Sequence, residues 1–198
     1  WDEDSNNAWS QNRNLHFRNK MVEFSVSGEI NYIDHVMGNT DNRLTGYLTA
    51  GIAYFTHDPE AKDSYGNWHP LQPLGTEGQG WTFGNDPYKL NGIALPFGMG
   101  FKVNLGPAIA FQMEWGLRKT WTDYLDDVST SYVNPVELRQ ARGELALEMA
   151  DRILDLPDDL PHSQGLQRGD PGLDDKYGYF LASIAFRVSK KPTSCWEQ

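Results

Sequence analysis

The stretch from Gly92 to Trp121 constrains the fold more than any other, because large apolar residues alternate there with small or polar ones through two consecutive runs. In the first run Ile93, Leu95, Phe97, Met99, Phe101 and Val103 share one face, and Gly92, Ala94, Pro96, Gly98, Gly100 and Lys102 share the other. After Asn104–Pro107 the pattern resumes. Ile109, Phe111, Met113, Trp115 and Leu117 are opposed by Ala108, Ala110, Gln112, Glu114, Gly116 and Arg118. Side chains along a strand point alternately to opposite faces, so the stretch reads as a β-hairpin. Lys102 then shares a face with Ala108 or Ala110, which requires an odd-length turn; Gly106-Pro107 suits one. Glu114 is expected opposite Pro96 or Gly98.

Three further segments alternate in the same way. From about Lys20 to Tyr32, Val22, Phe24, Val26, Ile30 and Tyr32 oppose Glu23, Ser25, Ser27, Glu29 and Asn31. From about Arg43 to Thr56, Leu44, Leu48, Ala50, Ile52 and Tyr54 oppose Thr45, Tyr47, Thr49, Gly51 and Ala53. From about Lys176 to Val188, Phe180, Ala182, Ile184, Phe186 and Val188 oppose Tyr179, Leu181, Ser183, Ala185 and Arg187. A half-buried soluble sheet alternates too. Length separates the cases: Ile93 to Val103 spans roughly 33 Å at about 3.3 Å per residue. Tilted, that covers the apolar band of roughly 25 Å on a transmembrane barrel. The fold expected is therefore all-β: an antiparallel transmembrane β-barrel with about five strands in this chain.

Composition agrees without deciding. The 198 residues are 39% hydrophobic and carry a net charge of −10. Barrel strands use apolar residues at every second position, and long loops dilute the average. Nucleic acid is excluded as an expected partner, because phosphate is repelled by such a charge. No run of about 20 apolar residues offers a transmembrane helix. One cysteine, Cys195, can form neither an internal disulfide nor a cysteine metal site.

Connections alternate in length: Ile33–Asn42 is short, His57–Pro87 long, Asn104–Pro107 very short and Thr122–Asp175 very long. Outer-membrane barrels pair short periplasmic turns with long extracellular loops. The first visible strand then descends, and an odd number of strands is expected ahead of it. Three more would make eight, the smallest barrel whose interior side chains fill it. Residues 1–188 are assigned to the barrel, with its N-terminal strands missing, and 189–198 to a periplasmic C-terminal tail. The last long loop carries a helix, opened by Asn134-Pro135 and Glu137, striped by Leu138, Ala141, Leu145, Met149 and Ile153, and ended by Pro157. It is expected to pack on the barrel rim or on its own loop.

Inside the barrel, Glu23, Glu29, Lys102, Glu114, Arg118 and Arg187 are expected to compensate one another, since an unpaired buried charge is costly. Trp115, Lys119 and Trp121 face outward, as an aromatic girdle with a snorkelling lysine would. The acidic groups Asp123/Asp126/Asp127, Asp155/Asp158/Asp159 and Asp170/Asp174/Asp175 match no calcium loop and read as solvated surface. His57-Asp58 and His162-Ser163 are weak catalytic candidates, read instead as loop residues. No cofactor or metal is expected.

Several strings resemble the PorG-like family, outer-membrane barrel proteins of Bacteroidota. They are Arg13-Asn14-Leu15, the run Leu71 to Gly80, Leu95-Pro96-Phe97-Gly98, Trp115 to Thr120, and Asp123 to Ser129. The resemblance covers nearly the whole chain. It implies a non-enzymatic component of the type IX protein secretion machinery, in some species supporting gliding motility, that anchors a periplasmic ring built from a lipoprotein and its partner. Outer-membrane lipid and that ring are then the partners, and no catalytic residue is carried over. Contact with the ring is expected at Asp34 and His35 in the first short turn and at Lys190, Lys191 and Trp196 in the tail. Two other readings compete. One is an outer-membrane hydrolase or acyltransferase with its site on the extracellular loops around His57, Asp58 and Asp123. The other is a general structural or ligand-binding barrel, membrane-bound or soluble.

Overall fold

The computed structural model describes residues 6–39, 41–82, 85–154 and 163–188. Its strands are β1 (Arg18–Asn31), β2 (Leu44–Lys62), β3 (Trp68–Pro70), β4 (Asn91–Asn104), β5 (Ile109–Thr120) and β6 (Lys176–Phe186). They form one sheet in the order β1-β2-β4-β5-β6, with β3 paired to β2 alone. The pairing is antiparallel. Asn104 N–H donates to the Arg43 carbonyl and His57 N–H to the Leu90 carbonyl, at opposite ends of the β2–β4 pair. Between β5 and β6, Ile109 faces Phe186 and Lys119 faces Lys176. Strands β1 and β6 end the sheet on either side, and no helix among the described residues is long and apolar enough to cross a membrane.

Two compact units are distinguished along the chain. One comprises Trp1–Phe24, Tyr54–Ile93 and Thr120–Asp175; the other comprises Ser25–Ala53, Ala94–Lys119 and Lys176–Gln198. The first is called the loop unit here and the second the sheet unit.

In the sheet unit the alternation takes an unusual sense. The large residues are the exposed ones: Phe97 is 46% exposed, Ile52 56% and Phe180 64%. The small and polar residues of the opposite face are the covered ones, with Ala94, Pro96, Ala110 and Gly116 buried. The β4–β5 turn is closed by Leu105 and Gly106 N–H donating to the Ile109 carbonyl, leaving three residues between Leu105 and Ile109. A Cβ on Gly98 would stand 3.2 Å from the Gly116 Cα. Glu114 therefore falls level with Gly100, two residues from the expected position at Gly98.

The loop unit is more structured than the sequence suggests. β2 runs on past His57 to Lys62, through Pro59, and pairs there with β3. A short helix, α1 (Ala8–Arg13), precedes β1. The helix expected from Asn134 is two helices, α2 (Pro135–Arg142) and α3 (Glu144–Ala150). The cap is as expected: Asn134 Oδ1 accepts from Val136 N–H at 2.9 Å. The break is Gly143, whose φ of 89° lies outside the helical range. The turn it makes leaves Ala141 exposed and buries Ala146 instead. Leu138, Ala146 and Ala150 pack with Leu74 and Trp81, while Met149 packs with Ala61 and Leu71. The helices thus cover the segment from Leu71 onward, within the same unit. The expected stop at Pro157 lies outside the described residues.

Candidate functional site: a buried ion cluster and an inner polar row

The most highly determined polar site is in the loop unit, where three segments distant in sequence converge. Leu71 leads into a 3₁₀ turn, Gln72–Leu74, ended by Gly75 at φ 60°. Gly78 and Gly80 also take positive φ, which suits glycine. This tight run turns Thr76 and Glu77 inward, both with 3% exposure or less. Glu77 accepts from Ser129 N–H at 2.9 Å, Thr130 N–H at 3.0 Å and Thr130 Oγ1 at 2.7 Å. Arg168, 1% exposed, donates to Glu77 at 2.9 Å and lies 3.6 Å from Asp127. Its remaining donors reach the Asp127 and Ala150 carbonyls. Asp127 in turn accepts from Thr76 Oγ1 at 2.5 Å and Tyr88 at 2.7 Å. Asp127 has φ 67°, a left-handed conformation that aspartate tolerates better than most residues.

Two carboxylates share one guanidinium, so the cluster is short of positive charge. Burial pushes Asp127 up to about 6, against the opposing pull of Arg168, Thr76 and Tyr88. Next to it, burial and the charge of Asp175 push Asp126 up to about 7. Burial also raises Asp123, to about 6. Burial alone would push Arg168 down, but Asp127 and Glu77 more than offset it and keep it charged. The reading of Asp123/Asp126/Asp127 as solvated surface is thereby corrected. Asp127 is fully buried because the glycine-rich turn and Arg168 close over it. Asp175 is structural as well, accepting from Leu125 N–H at 2.8 Å. The Asp155/Asp158/Asp159 group lies outside the described residues.

In the sheet unit the inner face carries part of the expected charge row. Glu29 and Lys102 form an ion pair. Glu114 accepts from Tyr47 at 2.8 Å and from Tyr179. Gln112 donates to the Tyr47 hydroxyl at 2.5 Å. Lys102 lies over the Tyr47 ring, and Arg118 over the Tyr179 ring at 4.3 Å. The glycines make room for these rings rather than for long charged chains. A Cβ on Gly100 would come within 2.5 Å of the Tyr47 ring, and one on Gly116 within 2.6 Å of the Tyr179 ring. Glu23 belongs to the loop unit. Arg187 stands beside the first short turn, its guanidinium 3.2 Å from where a Gly38 Cβ would be.

The remaining candidates are placed as follows. Asp34 is exposed, its carbonyl accepting from Asn42 at 3.1 Å, and His35 is half-buried with no hydrogen bond to Nδ1 among the described residues. Lys190, Lys191 and Trp196 lie outside the described residues. His57 is 3% exposed, bonded through Nε2 to the Lys89 carbonyl at 3.1 Å and packed between Phe55 and Tyr88. Ser163 donates to Asp151, and His162 is not among the described residues. No group of three or more His, Cys, Asp or Glu among the described residues is arranged to hold a metal ion.

Sequence reasoning missed Arg168 altogether. The available signal was that the runs Leu71–Gly80 and Asp123–Ser129 each concentrate glycine or aspartate without a chemical motif. In comparison with known proteins, the model of a domain of unknown function, DUF6089, matches residues 1–66, a third of the chain. No curated protein and no solved structure matches.

Proposed function

We propose that the chain is the wall of an outer-membrane β-barrel of eight strands, acting as a non-enzymatic scaffold of the type IX secretion machinery that anchors a periplasmic ring. The observation that carries the barrel is the exposed apolar face shared by neighbouring strands. Leu48, Ile52, Phe97, Met99, Trp115, Phe180 and Ile184 are each close to half exposed or more. Soluble proteins rarely show contiguous apolar patches beyond a few hundred Å². Lipid hydrocarbon is the solvent in which such a face costs nothing. Among the described residues, strands β1 and β6 are unpaired on one side and run in the same direction, so an antiparallel closure takes an odd number of further strands. Three give eight.

The secretion role rests on the resemblance to the PorG-like family. It is supported by what the resembling strings do: Thr76 and Glu77 meet Asp127, Ser129 and Thr130 in a closed hydrogen-bonded cluster. Such a cluster holds loops in place, which is what a scaffold asks of them. His57, the centre of the enzymatic alternative, is packed between rings. Isolation of the full-length protein from outer membranes in mild detergent tests the proposal. A ring lipoprotein and its partner should co-purify. Recovery of the protein in the aqueous phase without detergent overturns the barrel, and recovery from the membrane without ring components overturns the anchoring role.

A further inference from the structure

Between its two short turns the sheet unit holds a cleft of about 240 Å³, lined by Asn39, Arg43, Asn104 and Leu105 to Pro107. Gly38, at φ 83°, lets the turns touch, because any Cβ there would collide with the Pro107 backbone. Asn104 is 7% exposed. Its Nδ2 donates to the Val36 carbonyl at 3.0 Å and the Asn39 carbonyl at 3.1 Å. Those two acceptors fix the orientation of the carboxamide, since a flipped amide would set oxygen against oxygen. The Oδ1 is left buried with no donor among the described residues. A buried acceptor without a donor is costly, and native structures complete such groups.

The charge around this orphan is local and positive on its lining. Arg43 is exposed at the cleft and makes no ion pair among the described residues, and Arg187 stands beside Gly38. Asp34 and Asp41 belong to the same turn, but neither lines the cleft. Guanidinium binds carboxylate through two parallel N–H donors, a geometry that ammonium cannot reproduce. The cleft is smaller than the roughly 300–1,000 Å³ of pockets that enclose a whole small molecule. It fits one side chain with its peptide group. Val36, 59% exposed, and Leu105, 64% exposed, flank it with apolar surface.

We infer that the cleft takes an acidic residue of a partner polypeptide, the carboxylate on Arg43 and, as the turns part on binding, the adjoining backbone N–H on Asn104 Oδ1, which is closed to solvent in the unbound chain. The inference rests on the scaffold reading and names the docking surface and the partner's chemistry. It is tested with the full chain in detergent micelles, isotopically labelled, by titrating N-acetyl-aspartyl-leucine amide. The Asn104 side-chain amide and the Gly106 N–H should shift saturably. N-acetyl-asparaginyl-leucine amide should bind at least tenfold more weakly, and so should the aspartyl probe to Arg43→Gln. Arg43→Lys should fall between the two. Absence of saturation with the aspartyl probe, or equal binding by Arg43→Gln, overturns the inference. Membrane fractionation of the same proteins separates the two failures. Protein that stays in the membrane but ignores the probe refutes the cleft alone, whereas protein released without detergent refutes the scaffold reading.

Discussion

Arg168 is the cation that Glu77 and Asp127 share. Replacing it with methionine leaves Glu77 and Asp127 buried without a cation, and breaking a buried pair from one side costs about 3–5 kcal/mol. The expected result for Arg168→Met is rapid proteolytic cleavage within Leu71–Gly80 and Asp123–Ser129, with the β5–β6 pair still protected; limited proteolysis followed by mass spectrometry reads it. Adding Glu77→Gln and Asp127→Asn to that variant should recover part of the protection. Asp126 gives a pH-dependent counterpart. Its folded pKa, about 7, lies above the unfolded value near 4, so the folded state binds more protons between those limits. Stability from this group is present below about pH 4 and falls as pH rises to about 7. Asp126→Asn should therefore be neutral near pH 4 and stabilising at pH 8 by on the order of 1 kcal/mol, read from urea midpoints at both pH values. His16 works in the opposite direction. Burial, with Arg152 and Lys62 nearby, lowers its pKa, so its contribution improves as pH rises past the usual histidine range. The comparison with the variant isolates the Asp126 part. None of this was legible in sequence. Glu77, Asp127 and Arg168 are brought together by loop closure, and nothing local marks an arginine that will be buried.

At the scale of elements, the strands were readable and the loops were not, for a physical reason. Strand side chains repeat at period two, so Ile93–Val103 and Ile109–Leu117 announce both their structure and their faces. The face assignment of β2 holds residue by residue, from Leu44 exposed through Thr45 and Tyr47 buried to Ala53 buried. It runs on past the expected end near Thr56, through Pro59, to Lys62. Proline removes one ladder donor without ending a strand whose neighbour does not need it. The helix from Pro135 was read as one because its apolar spacing spans Gly143; the spacing does not report the backbone angle at that glycine. Glycine matters differently inside the sheet. A side chain at Gly100 must displace the Tyr47 ring, which donates to Glu114. Gly100→Val should cost about 1–3 kcal/mol and release that tyrosine, measurable as a lower thermal midpoint and a change in tyrosine near-UV circular dichroism. Gly106→Ala, where a Cβ meets nothing within 4 Å, is the control.

For the molecule as a whole, the decisive quantity is which solvent the exposed apolar face requires. Phe97 sits mid-strand, 46% exposed, level with Leu117 on β5 and Ala50 on β2. In bilayers, Phe97→Arg should destabilise by roughly 2–4 kcal/mol if Phe97 lies at the midplane, less if it lies nearer the surface. In a soluble fold the same change would be close to neutral or would improve solubility. Denaturant titration in lipid vesicles, compared with wild type, distinguishes the two. The match of residues 1–66 to a domain of unknown function covers α1, β1 and β2 and is compatible with either solvent.

Ala94 and Leu95 are neighbours in the chain, yet they answer to different rules. Ala94 is wholly buried on one face of β4, while Leu95 is 42% exposed on the other. Evolutionary freedom should follow suit, reversing the familiar pattern of variable surfaces and fixed interiors. If the face meets lipid as proposed, Leu95→Phe should be silent in assembly and heat resistance, because a fluid environment accommodates any apolar shape. Ala94→Val, which adds fewer carbon atoms, should lower heat resistance, because Ala94 has no exposed surface into which the added methyls could go. A deep substitution scan read by membrane insertion would then trace every strand as a two-residue rhythm: tolerance of bulk but not of charge at odd positions of β4, and intolerance of bulk at even ones.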